Sequence, residues 1–580
     1  MTTQNSVLEI PQKPTRQYLP QDFSISKWEN LAPYYEKLIS QDIENEADLK
    51  QFLTNLNELE AVVSEELAWR YIRMTCHTDN AEYAQAFQYF VAEIEPKIAP
   101  LRDKLNKKLY QSPYLQTLAR EQKPYFLLKR ELQKEIEIYR EENVPLLAEM
   151  QIIAQKYTEI VGAMTVEIEG REQTLQQASQ KLQDSNRHVR KEVYFKIQQR
   201  RLQDKARIDE IMNQLVALRH KIAQNTGFDN YRDYMFKAKS RFDYTKEDCF
   251  AFHDSIEQTA VPLLDKIIEK KRKKLGVETF FPWDSQATAE GEQPLRPFEN
   301  AQELLDKTIR CLSRLHPEVG KKLQIMQAMG HLDLESRKSK AAGGYNYPLL
   351  ETGVPFIFMN AASLMRDVVT LLHESGHALH NFLTRDIPLI AFKSPPAEVA
   401  ELASMTMELI TMDFWDEFFE NPQDLQRAKA EHLCDLLTTL PWVATIDKFQ
   451  HWIYENPTHT TEQRTQTWVQ LFDRFSDKIT NWTGLEHFKQ NLWQKQLHIF
   501  ELPFYYIEYA MAQLGAIAIW KNYRENPQET LEKYFQALGL GSMATIPEIY
   551  QTAGIQFDFS APYIASLMQF VKTELDKVWK

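Results

Sequence analysis

Apolar residues recur every three to four positions through the first third of the chain, the spacing of helices that bury one face. Residues 23–39, 46–73, 81–109, 124–140 and 144–161 all carry it, and no glycine interrupts the chain before Gly162. Asn80 and Pro113 mark turns between these stretches, and Pro124 suits the first position of a new helix. Residues 1–162 therefore read as an antiparallel N-terminal helical lobe, with aromatics such as Trp69, Tyr71 and Phe87 as its core packing.

From 163 to 300 the pattern turns polar. Highly charged helices are expected to begin near residues 173–180 and 184–190, as a solvated connecting region, and Gly227 reads as a helix-ending turn. Pro282, Gly291, Pro294 and Pro297 mark the boundary to a third region, 301–580. There the period shortens to two over 332–336, 342–347 and 355–360, which predicts a small sheet of three or more strands. Leu364, Val368, Leu372, Leu379 and Leu383 then restore helical spacing on one stripe. A further buried helix is expected over 397–409, with Ser394 as its N-cap and Pro395 at its first position. The fold class is mainly α, with a small β-sheet beside one central helix.

Composition narrows the functional classes. The chain has 580 residues, enough for several domains or one two-lobed helical body. Its 68 basic and 81 acidic side chains leave a net charge of −13, which argues against a nucleic-acid partner. Cys76, Cys249, Cys311 and Cys434 lie far apart in sequence, so neither a disulfide framework nor a Cys-x-x-Cys metal site is expected, and a reducing compartment is. Residues 1–21 are polar with three prolines, and no uncharged apolar run approaches the roughly 18 residues of a membrane span. A cytoplasmic protein without a membrane partner is the expectation. Nothing in the pattern bears on oligomeric state.

The restored helix carries the chemistry. His373-Glu374-Ser375-Gly376-His377 contains His-Glu-x-x-His, and imidazoles four residues apart stand one turn apart on one helix face, where they can share a Zn²⁺ ion. Glu374, one residue round from His373, can act as general base on a zinc-bound water. The third ligand should come from the next helix, where Glu398 and Glu401 compete. Glu398 sits in the first turn, where an acidic side chain often only compensates the helix dipole. Glu401 and Glu408, seven apart, superpose along the axis, so one could ligate while the other orients an imidazole. This favours Glu401. His380 lies too far along the helix to converge on the same ion and reads as a nearby group that either packs or supports the ligands from behind. Near the C-terminus His498, Tyr505, Tyr506 and Tyr509 crowd into twelve residues; such donors suit an oxyanion, although aromatics at this spacing also serve as core.

The residues from His373 to His380, with Ala400-Glu401-Leu402-Ala403-Ser404 and Glu408, resemble the zinc oligopeptidases of the thimet oligopeptidase (M3) family, and most of all the oligoendopeptidase F branch. Ala178-Ser179, Asp184-x-x-Arg187-x-x-Arg190 and residues 225–231 resemble that branch too. The resemblance implies a two-lobed helical metallopeptidase with a deep substrate channel and one Zn²⁺ per chain. It assigns the third ligand to Glu401, with Glu408 behind it, and implies that His498, Tyr506 and Tyr509 steady the oxyanion. A sheet edge near Gly343, Gly344, Phe358, Met359 and Asn360, with Tyr505, would bind substrate. The expected activity is cleavage of internal bonds in short unstructured peptides. Alternatives are a helical zinc carboxypeptidase, a catalytically idle zinc-bound peptide-binding protein and a metal-free helical scaffold.

Overall fold

Long apolar stripes without glycine leave the early chain little choice but helix. The computed structural model describes residues 8–337, 339–341 and 343–579, and places helices at Trp28–Ser40, Glu46–Cys76, Ala81–Tyr89, Glu95–Gln111, Pro113–Glu121, Lys123–Ile138 and Asn143–Gly162. The first seven residues of the polar N-terminal stretch lie outside the described residues. The run expected as one helix over 81–109 widens into a π-turn at Phe90–Ile94. Pro96, two residues past its end, has no N–H to donate, so the local ladder has to adjust there.

Five strands are present among the described residues. β1 (Thr165–Ile168) and β2 (Arg171–Thr174) form an antiparallel hairpin, and β3 (Leu332–Glu335), β4 (Tyr345–Tyr347) and β5 (Phe356–Ala361) form a sheet in the order β3-β5-β4. The hairpin stands where a solvated helical layer was expected to begin. Its turn places Glu169 and Gly170 at positive φ (54° and 74°), the conformation a two-residue hairpin needs. It buries Val166 and Ile168 against Ala178, Val193 and Ile197. The charged helix expected next is Arg187–Gln203, where Arg187 and buried Arg190 both donate to the Asp284 carboxylate.

The chain forms two compact units, each assembled from three separate stretches. One comprises Met1–Tyr139, Arg296–Gln426 and Met511–Phe557, the other Arg140–Leu295, Arg427–Ala510 and Asp558–Lys580. The division at 162 and 300 is a proposal about order along the chain; compactness groups the residues differently. In the first unit, a core of Leu31, Tyr35, Phe52, Ile98 and Leu115 is completed by Leu389 and Phe392. Buried Glu65 accepts from the Glu351 and Thr352 amides and the Thr352 hydroxyl, tying the second helix to the segment just before β5. No helix among the described residues is long and apolar enough to cross a membrane.

Candidate active site and metal centre

The motif helix runs Met365–Thr384. Asp367 fixes its start by accepting the Ala362 and Leu364 amides at 2.7 and 2.9 Å. It is buried nearly all round, since the following helix and the sheet pack on different faces. That packing helix is Ala397–Ile410, reached after a single helical turn at Ile390–Lys393. It begins two residues later than the expected Ser394 cap, because Pro396 forces Pro395 out of helical backbone; Pro396 itself occupies the N-cap position in extended conformation (φ −55°, ψ 151°).

These two helices meet at backbone distance. A Cβ on Gly376 would fall 2.6 Å from both the Ala403 carbonyl oxygen and the Ser404 Cα. Glycine between the two histidines is what lets Glu401 approach them. Glu401 Oε2 lies 3.4 Å from His373 Nε2 and 3.6 Å from His377 Nε2, and one ligand atom from each of the three lies within 4.8 Å of the others. Three ligands held tetrahedrally by one Zn²⁺ at about 2.0–2.2 Å stand about 3.3–3.6 Å apart, so the donor set and its spacing fit that ion. Glu398, also buried, is outside this triad.

The surrounding groups orient the three donors. His373 Nδ1 is 2.6 Å from Glu408 Oε1, an arrangement that turns Nε2 towards Glu401. The Ser404 hydroxyl donates to Glu401 Oε2 at 3.1 Å, steadying the carboxylate from its own helix. His377 shares a hydrogen bond with the backbone of Ala400. Glu374 is buried at 7% exposure, and its Oε2 has no hydrogen-bond partner among the described residues.

Burial dominates the electrostatics. It pushes the Glu374 carboxyl up to about 7; His373 opposes the shift, while Glu401 and Glu408 add to it. For His373, burial works against the charged imidazole, but hydrogen bonds to Glu401 and Glu408 outweigh it and hold its pKa well above the usual value. Burial lowers His377 to about 4 and His380 to about 3. His380 is thus a neutral packing group, hydrogen-bonded to the backbone of Leu538.

Both β4 and β5 touch the motif helix, and β4 adds side-chain hydrogen bonds to it. Asn346 donates to the Glu374 carbonyl at 3.3 Å, and Asn381 reaches from the helix to Asn346 Oδ1 at 3.4 Å. β4 is an outer strand, whereas Phe358 and Met359 lie buried on the central strand. Phe358 is paired on both sides and offers no free backbone edge, its ring stacking on Tyr345 with centroids 4.7 Å apart, while the Met359 carbonyl, past the last β4 pair, accepts from Lys340 at 2.6 Å. Asn360 donates to the Ala341 and Gly343 carbonyls at 2.8 and 2.9 Å and so holds the loop before β4. Gly343 has φ +99°, and a Cβ on Gly344 would sit 3.3 Å from the Phe358 carbonyl oxygen.

In the other unit, His498 lies among the three tyrosines, 4.9 Å from Tyr506, 5.7 Å from Tyr509 and 6.2 Å from Tyr505 between ring centroids. Two residues not singled out in the sequence set its tautomer. Trp442 Nε1–H donates to Gln496 Oε1 at 3.0 Å, which directs the Gln496 amide nitrogen to His498 Nδ1 at 2.8 Å. Nδ1 accepts, so the proton of the neutral ring is on Nε2. Just ahead of the tyrosines, Phe504 has φ 63°, a conformation that side-chain-bearing residues rarely adopt. Gln450 accepts its amide at 2.8 Å and Arg241 donates to its carbonyl. Arg241 also donates to Glu508 at 3.0 Å, pinning the first turn of the helix that carries Tyr506 and Tyr509.

A largely helical chain that gathers two imidazoles and a carboxylate from successive helices, with a buried glutamate beside them, has the plan of a metallopeptidase. The chain belongs to peptidase family M3: the family model matches residues 180–569, and that of the M3 N-terminal domain matches 21–136. It is 22% identical to an oligoendopeptidase F homolog of Borreliella burgdorferi over 99% of this chain and 95% of that one. It is 24% identical to one of Lactococcus lactis over 55% of this chain, and there the match spans about half the relative's length, 52%. A solved structure of PZ peptidase A with an inhibitor superposes with a TM-score of 0.90 at 27% identity, covering 96% of this chain and 98% of that one.

Proposed function

We propose that this protein is a zinc-dependent endopeptidase that cuts internal bonds of short, unstructured oligopeptides. One observation carries the reading: the side chains of His373, His377 and Glu401 converge at metal-ligand spacing beside Glu374, a buried carboxyl with an unpartnered oxygen. Those three residues would hold one Zn²⁺ per chain, and zinc, when bound, activates water for attack and polarises the scissile carbonyl. Glu374 takes the proton of the attacking water and hands it to the leaving amine. Glu408 keeps His373 in the productive orientation.

Within the same proposal His498, through Nε2–H, and the hydroxyls of Tyr506 and Tyr509 donate to the tetrahedral oxyanion, with Tyr505 beside them. Each such donor contributes about 3–4 kcal/mol to the transition state in comparable sites. An extended peptide adds to the outer strand β4 by backbone hydrogen bonds, which read no particular side chain. Gly343 and Gly344 leave room for its backbone, Asn360 holds the loop, and Phe358 and Met359 support the strand from behind. The cytoplasm suits four buried cysteines that form no disulfide among the described residues.

The test is a mass-spectrometric digest of mixed short peptides and one folded protein, with and without chelator. Chelator-sensitive internal cuts confined to the peptides are expected. Release of C-terminal residues alone would instead identify a carboxypeptidase, and no cleavage by zinc-loaded protein an idle peptide binder.

A further inference from the structure

Well away in sequence from the motif helix, two other helices in the second compact unit face each other with residue pairs spaced four apart. Helix Lys246–Thr259 presents Cys249 and His253, and helix Pro422–Glu455 presents Asp447 and His451. All four are interior, at 0, 0, 0 and 2% exposure. One ligand atom from each of Cys249, Asp447 and His451 lies within 4.8 Å of the other two. His253 Nε2 makes a hydrogen bond of 2.9 Å to Asp447 Oδ2. His451 Nε2 stands 3.2 Å from that same oxygen but is not aligned to bond it. Asp447 Oδ1 and both ring nitrogens of His451 have no hydrogen-bond partner among the described residues.

This is an unusual interior for a helical core. The rings of Phe250, Phe504 and Phe236 surround His451 at 4.9, 5.3 and 6.0 Å between centroids. Each unsatisfied buried polar group costs about 1–3 kcal/mol, and here three stand together in an aromatic shell. A pair of atoms close enough to bond, yet misaligned for a hydrogen bond, is what two ligands of one ion look like. The charges also fit: a thiolate and a carboxylate neutralise a divalent cation, and the imidazole adds a neutral donor. A sulfur, nitrogen and oxygen set selects zinc and similar transition ions over calcium or magnesium.

We propose that Cys249, Asp447 and His451 form a second, structural metal site for a zinc-class divalent ion, with His253 holding the Asp447 carboxylate in place. The ion ties the two helices together beneath Phe504, whose ring packs on His451 and whose positive φ opens the tyrosine segment. The site is independent of the chemistry proposed at Glu374.

Cobalt separates the two sites, because only this one contains sulfur. Metal-free full-length protein, kept reduced with a phosphine, is titrated with Co²⁺ and followed by near-ultraviolet absorption and by metal analysis of the folded monodisperse fraction. The expected result is two ions per chain and a thiolate-to-cobalt charge-transfer band. The His373→Ala/His377→Ala double variant should keep the band with one ion per chain. Cys249→Ser should lose the band and one ion, and Cys434→Ser should lose neither. No band in the wild-type protein at saturating cobalt would overturn the site in favour of a metal-free network in which an imidazolium pairs with Asp447. A band that survives in folded Cys249→Ser would overturn it equally.

Discussion

Glu374 and His373 are neighbours with opposite protonation preferences, and both preferences bear on what the site does. Burial favours a neutral Glu374, whereas two carboxylates favour a charged His373. Glu374→Gln keeps the volume and removes the base, so turnover should fall by about 10²–10⁴-fold. Zinc content and peptide affinity should stay unchanged; metal analysis and inhibitor titration check this, and near-normal kcat in the variant would refute the role. His373 carries a proton between Glu401 and Glu408 at neutral pH in the metal-free protein, since its pKa is raised. Metal entry must displace that proton, so affinity should fall about tenfold per pH unit on acidification below the raised value. Calorimetry in buffers of different ionisation enthalpy should show about one proton released per ion. Glu408→Gln should weaken metal binding about 10–100-fold although it removes no ligand, as measured by competition with a chromophoric chelator. Wild-type affinity in that variant would show that Glu408 does not orient His373.

At the scale of elements, the site rests on how closely two helices approach. Gly376→Ala would drive a methyl group to 2.6 Å from backbone atoms of Ala403 and Ser404, which cannot swing aside as a side chain could. The variant should be destabilised by about 1–3 kcal/mol in thermal melts, and its zinc affinity should drop because Glu401 is pushed away from the histidines. Unchanged zinc binding would mean that another contact sets the helix separation. Helix positions were largely legible because periodicity is a local property: the helices Glu46–Cys76 and Lys123–Ile138 start and stop within a few residues of their patterns. Elements ruled by a single turn were not. The β1–β2 hairpin has only Val166 and Ile168 to announce it, too few for alternation to stand out. The Ser394 cap gave way to the restriction that one proline places on the residue before it. The two histidines were legible together because their spacing of four is helical, whereas Glu401 lies on another helix and only the family resemblance settled the choice over Glu398. Gln496 and Trp442, which set the His498 tautomer, were not, since they lie 54 residues apart and meet only in the fold.

At the scale of the whole molecule, the four residues proposed for zinc chemistry in the first unit sit on one stretch of chain, yet that stretch does not make the site alone. Arg296–Gln426 contains His373, Glu374, His377 and Glu401, and its surroundings come from both other segments of the unit. Tyr534 donates to the Ala403 carbonyl at 2.7 Å, on the residue that Gly376 faces. Gly515 leaves room for Leu402, and a Cβ there would fall 2.7 Å from Leu402 Cδ1 and 2.9 Å from Tyr550 Cε1. From the N-terminal side, Glu65 holds residues 351 and 352 just ahead of β5. A chain read in order sees regions, whereas this unit closes only when its last segment returns. Loop closure of that kind is paid for in entropy before any contact repays it. The isolated fragment 296–426 should therefore show no cooperative melt and bind zinc at least about 100-fold more weakly than the full chain. Adding the 1–139 segment should not restore binding without 511–557. A cooperative melt with full-chain zinc affinity in the fragment would show that the helix pair folds on its own, and that the Tyr534 and Leu402 contacts add only to what the pair already contains.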